Sequence, residues 1–126
     1  MRELEITTKI DILQESELSQ EETKLITSAK EATNNSYSPY SHFQVGAALL
    51  LEDNDIITGS NQENASYPVG CCAERTALFW AKANRPDCNI KAIAIAAEKF
   101  QPFDNNRNPA IVKTAPNAYV LGMDVK

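Results

Sequence analysis

Two stretches of this chain, 43 to 51 and 90 to 97, are apolar on both of their faces. That restricts the folds open to it more than any other feature. Phe43-Gln44-Val45-Gly46-Ala47-Ala48-Leu49-Leu50-Leu51 and Ile90-Lys91-Ala92-Ile93-Ala94-Ile95-Ala96-Ala97 have the length of strands but lack the strict alternation of a sheet that meets water on one side. Strands of this kind are covered above and below. The acidic turn Glu52-Asp53-Asn54-Asp55 returns the first of them through Ile56-Ile57-Thr58-Gly59, most simply as a hairpin.

Two segments have the pattern of helices. Ser19-Gln20-Glu21-Glu22 has the form of a capping box, and Leu25, Ile26, Ala29 and Ala32 follow at helical spacing, which predicts a helix from about Gln20 to Thr33. A second helix is expected from Cys72 to about Asn84, where Arg85-Pro86-Asp87 breaks it. Near the N-terminus, Leu4, Ile6, Thr8, Ile10 and Ile12 alternate with Glu5, Thr7, Lys9 and Asp11, and residues 1 to 18 are expected to form an edge strand or arm. Past Ala97 the pattern thins. Glu98 to Pro109 is polar and aperiodic, and two short strand-like pieces, Ala110 to Thr114 and Ala118 to Val125, flank an Ala115-Pro116-Asn117 turn. At 126 residues the whole is expected to be one domain.

The chemistry concentrates between Val69 and Ala83. There a Tyr-Pro-Val-Gly loop delivers Cys72, Glu74 and Arg75 to the start of the second helix. The positive end of a helix dipole and its free N–H groups favour thiolate, the form of cysteine that binds metal. Residues two apart within a regular helix do not face each other, so Cys72 and Glu74 share a cleft only if Cys72 sits at the cap. Arg75, three residues along, is expected to reach back toward the thiolate. The plainer reading is a buried small cysteine followed by two solvated charges.

Charge and composition narrow the partners. A formal net charge of −5 argues against a surface that tracks phosphates, and so against a nucleic-acid partner. No apolar run approaches the length of a membrane span, and Met1-Arg2-Glu3-Leu4-Glu5 lacks the apolar core of a signal peptide, so the expected compartment is the cytoplasm. Three cysteines, two of them adjacent, do not form a disulfide framework and are read as reduced thiols.

Taken together, Ser-Pro-Tyr-Ser-His-Phe-Gln-Val-Gly-Ala-Ala-Leu from Ser38, Gly-Ser-Asn-Gln-Glu-Asn-Ala-Ser-Tyr-Pro from Gly59 and Cys-Ala-Glu-Arg-Thr-Ala-Leu from Cys72 resemble the small homotetrameric zinc-dependent cytidine deaminases. The resemblance runs almost unbroken from Tyr40 to Ala97. It implies an α/β fold, a three-layer α/β/α sandwich around a mixed β-sheet. It also implies Zn2+ as cofactor with Cys72 as a ligand, Glu74 as general acid/base, and Arg75 partly offsetting the thiolate charge. Asn61 and Glu63 would hold the ribose hydroxyls, Phe43 would lie against the pyrimidine, and Tyr67 would reach a neighbouring subunit of a homotetramer. The implied reaction is hydrolytic deamination of cytidine or deoxycytidine, with a small nucleoside as partner. A close variant would act on an antibiotic nucleoside of the blasticidin type.

Each of these residues also has a structural reading. Phe43 could be core, Asn61 and Glu63 a polar loop, and Tyr37, Tyr40 and Tyr67 loop packing. His42, the single histidine, has no ligand role in the family pattern, and Trp80 reads as core or interface. The sequence departs from the family at one place. The family's Pro-Cys-x-x-Cys, which supplies the other cysteine ligands from a helix after the third core strand, is absent, and no cysteine follows Cys88. Three readings fit: a chain without a segment that the working protein has, a shifted reading after Ala97, or a non-catalytic nucleoside-binding or assembly subunit on the same fold.

Overall fold

The computed structural model describes residues 1–8, 11–99 and 110–113. Four strands, β1 (Phe43–Leu51), β2 (Ile56–Ser60), β3 (Ile90–Lys99) and β4 (Ala110–Lys113), form one sheet in the order β2-β1-β3-β4. All three pairings are antiparallel, so a parallel member of the expected mixed sheet is not among the described residues. Helix α1 (Gln20–Ala32) lies on one face and α2 (Ala73–Asn84) on the other, which gives three layers.

Strand periodicity divides the core between the two faces. Ala48 and Leu50 of β1, with Ala92, Ala94 and Ala96 of β3, meet Leu25, Ile26 and Ala29 of α1. Ala47, Leu49 and Leu51, with Ile93, meet Ala73, Ala77 and Ala81 of α2. This explains why the central strands are apolar on both faces: each face carries a helix. The helices sit close because small residues stand where they cross. A Cβ built on Gly46 would lie 2.1 Å from the Ala29 carbonyl oxygen, and one on Gly59 would lie 2.6 Å from the Ala77 nitrogen. At both points the helix backbone rests directly on the strand.

The local signals act as expected. Ser19 caps α1 by accepting the Glu22 N–H at 3.1 Å, as its capping-box position predicts. In the hairpin turn Asn54 takes a positive φ of 70°, and its side chain accepts a hydrogen bond from Lys91 at 2.9 Å. Arg85, just past α2, pairs with Asp53 and Asp55 and ties the far end of that helix to the turn.

The N-terminal segment behaves as an arm and not as a strand. Residues 1–8 and 11–14 have no regular structure, and Leu4, Ile6 and Ile12 are exposed. Alternation gives a segment two faces but no partner strand. The strand read at Ala110 appears as β4, and β3 runs two residues further than its apolar stretch, to Lys99. The remainder of the loop read over Glu98 to Pro109, and the strand expected at Ala118 to Val125, lie outside the described residues.

Candidate active site

The site is built around the start of α2. Cys72 is its N-cap, in extended geometry with φ −73° and ψ 160°, and its thiol is exposed. This meets the condition that their spacing sets for Cys72 and Glu74 to share a cleft. The Cys72 carbonyl accepts hydrogen bonds from the Thr76 N–H (3.0 Å) and hydroxyl (2.9 Å), which fixes the first turn. Glu74 and Arg75 are half-buried, and among the described residues neither side chain makes a hydrogen bond or ion pair. The expected reach of Arg75 to the thiolate is therefore not made. Cys72 makes no side-chain capping bond either.

Phe43 begins β1 and is partly exposed. Val45, Ala47, Leu49 and Leu51 face α2, and the same alternation puts Phe43 on that side at the edge of the covered core. Its structural reading as buried core fails for this reason: α2 does not reach it.

Asn61 follows β2 and is heavily used by the fold. Its side-chain oxygen accepts the Val45 N–H at 2.9 Å and the Ser36 hydroxyl, and its amide nitrogen donates to the Phe43 carbonyl at 2.8 Å. The side chain thus extends the β1–β2 ladder past the last residue of β2, with one amide hydrogen left unpaired among the described residues. Glu63 is wired in a similar way. One oxygen accepts the N–H groups of Tyr40 (3.1 Å) and Ser41 (3.1 Å), and hydrogen bonds from the Ser41 side chain and backbone lower its pKa from the ordinary carboxylate value.

Between these residues and Cys72 the backbone closes on itself. Gln62 exchanges two hydrogen bonds with Cys71, at 2.8 and 2.9 Å, and bridges to Tyr37. The Gln62 amide also donates to the Asn35 carbonyl and to Ser60. Ser36 and Gln62 were not singled out in the sequence, since nothing separates them there from other polar loop residues. Tyr67, in a single 3-10 turn (Tyr67–Val69), is 90% exposed and touches no part of this constellation. His42 has a positive φ of 55° and lines a cavity of about 350 Å3 with Ser36, Tyr37 and Gln44.

The residues present do not make a zinc site. Among the described residues no three His, Cys, Asp or Glu side chains come together to hold a metal. Cys71 and Cys72 are consecutive in extended backbone, which sends their side chains to opposite sides. Cys88 packs into the core beyond the other end of α2, about 18 Å of helix away.

Comparison with known proteins identifies the family. Residues 19–102 match the family model described as the cytidine and deoxycytidylate deaminase zinc-binding region. The chain is 52% identical over 79 residues to a cytidine deaminase of Halalkalibacterium halodurans, covering 62% of this chain and 58% of that protein. It is 47% identical over 79 residues to one of Sporosarcina psychrophila, covering 63% and 57%. It thus spans somewhat over half the length of these relatives. Among solved structures, a cytidine deaminase from Burkholderia pseudomallei superposes with a TM-score of 0.55 at 45% identity, over 64% of this chain and 65% of that one. One from Mycobacterium tuberculosis gives 0.55 at 35%, over 59% of each. The α/β/α fold is that of these enzymes, zinc is the metal of the matched region, and the chain belongs to the cytidine and deoxycytidylate deaminase family.

Proposed function

We propose that this chain is the nucleoside-recognising part of a cytidine deaminase, acting in pyrimidine salvage in the cytoplasm as a homotetramer. The observation that carries the reading is the placement of Cys72 at the cap of α2, with Glu74 in the first turn of the same helix and the start of β1 on the same side of the sheet. Cytidine, or deoxycytidine, would lie with its base against Phe43 and its ribose hydroxyls at the amide of Asn61 and the carboxylate of Glu63. Tyr67, exposed as it is, is left to meet a second subunit.

In the reaction, water adds at C4 of the base, the bond from C4 to the exocyclic amine breaks, and uridine and ammonia form. Glu74 is the group in this chain suited to carry the protons, taking one from the water, delivering it to the ring nitrogen beside C4 and protonating the departing amine. No step is assigned to zinc, because the residues present do not form its site. The same fact supports a second reading, in which the chain binds nucleoside or assembles with other chains without turning substrate over.

Turnover separates the two. A uridine-forming rate in the wild type that falls by about 100-fold or more in Glu74→Gln, with cytidine binding retained, supports the enzyme. Cytidine binding with no wild-type rate supports the second reading. Competition between cytidine and a blasticidin-type nucleoside tests the substrate class, and preference for the antibiotic would overturn the choice of cytidine.

A further inference from the structure

We infer that the cysteines, the histidine and the described carboxylates of this chain do not complete a metal site at Cys72, so that the chain by itself does not retain zinc. The inference rests on reading Cys72 as the family's ligand position.

The donor count comes first. Zinc sites use three or four protein ligands, drawn from thiolate, imidazole and carboxylate. The whole chain has three cysteines and one histidine. Cys71 is held in a two-bond backbone bridge to Gln62, and turning its side chain toward Cys72 would break that bridge. Cys88 is packed against the α2-side core with the Arg85 guanidinium 4.0 Å from its sulfur, at the opposite end of the helix. His42 sits in the loop before β1, among Ser36, Tyr37 and Gln44. Glu74 is the nearest carboxylate in sequence, and the proposed proton transfer requires it to remain off the metal.

The surroundings give a second, independent argument. Leu49, Leu51 and Ile93, beneath α2, are fully buried. Val45, Ile95 and Ala97, on the same face of β1 and β3 toward Phe43, are only half-buried. Burial under α2 thus falls off along β1 and β3 toward Phe43, and Cys72 at the start of α2 is exposed.

The test is zinc per chain by elemental analysis, on the full chain checked by intact mass and dialysed after exposure to zinc chloride. It is paired with the rate of Cys72 alkylation by iodoacetamide with and without zinc. The expected result is far less than one zinc per chain and an alkylation rate that zinc does not change. About one zinc per chain, whether in the wild type or in Cys72→Ser, overturns the inference, and so does protection of Cys72 by zinc. Cytidine binding, measured by calorimetry on the same samples, keeps the two claims apart. If zinc is not retained and cytidine does not bind, the reading of Phe43, Asn61 and Glu63 fails while the donor inference stands. If zinc is retained, the inference fails whatever the nucleoside does.

Discussion

The two halves of the candidate site are built in opposite ways. On the loop side, Asn61 and Glu63 are held by hydrogen bonds to Phe43, Val45, Ser36, Tyr40 and Ser41, and the fold would lose its local shape without them. On the helix side, Cys72, Glu74 and Arg75 have no side-chain partner among the described residues. Residues that serve the fold and a ligand together can be recognised from their internal bonds. Residues kept only for chemistry would show as groups that the fold leaves idle, which is how the proposed roles divide between the two halves.

Asn61→Ala is expected to show the contrast most strongly. It removes three hydrogen bonds and leaves the Phe43 carbonyl and Val45 N–H without partners, at a cost of about 2 to 4 kcal/mol. Urea unfolding measures it, and a loss no larger than that of an exposed surface substitution would mean that the loop is not held as described.

Glu63 is expected to act through pH. Hydrogen bonds from Ser41 lower its folded-state pKa below the usual 4.5. Its contribution is therefore fully present above about pH 4.5, where both the folded and unfolded groups are ionised. It is lost as pH falls through the lowered folded-state value. Glu63→Gln should flatten this part of the stability profile, and an unchanged acid limb in thermal melts would remove Glu63 from the loop's support.

The smallest effect is expected on the helix side, and with the opposite sign. Cys72 occupies an N-cap whose extended geometry suits a capping side chain, yet its thiol caps nothing. Cys72→Ser should stabilise the fold by up to about 1 kcal/mol, read as a raised thermal midpoint. A loss of stability would show that the thiol supports the fold after all and would weaken the contrast between the halves.

Much of this was legible in the sequence, for identifiable reasons. Both-face apolarity in 43 to 51 and 90 to 97 marks strands between two layers, and the Ser19 box and the Arg85-Pro86 break mark helix ends within a residue or two. The alternation of residues 4 to 12 left an edge strand and an arm equally open, because periodicity reports a segment's faces and not whether it pairs, and residues 1–8 and 11–14 have no strand. The spacing of Cys72 and Glu74 made the cap position a condition for a shared cleft, and the structure places Cys72 there. The double duty of Asn61 did not, since its partners Ser36, Phe43 and Val45 lie up to 25 residues away and carry no local signal.

The close seating of the helices bears on how such a cleft can change. Because Gly46 and Gly59 leave no side chain between strand and helix backbone, the separation of the layers is a dimension of the main chain itself. Enlarging a residue at either point moves a whole helix, and with Gly59 it moves the one that carries Cys72 and Glu74. Substitution elsewhere on these faces changes side chains within a spacing that the two glycines have already fixed.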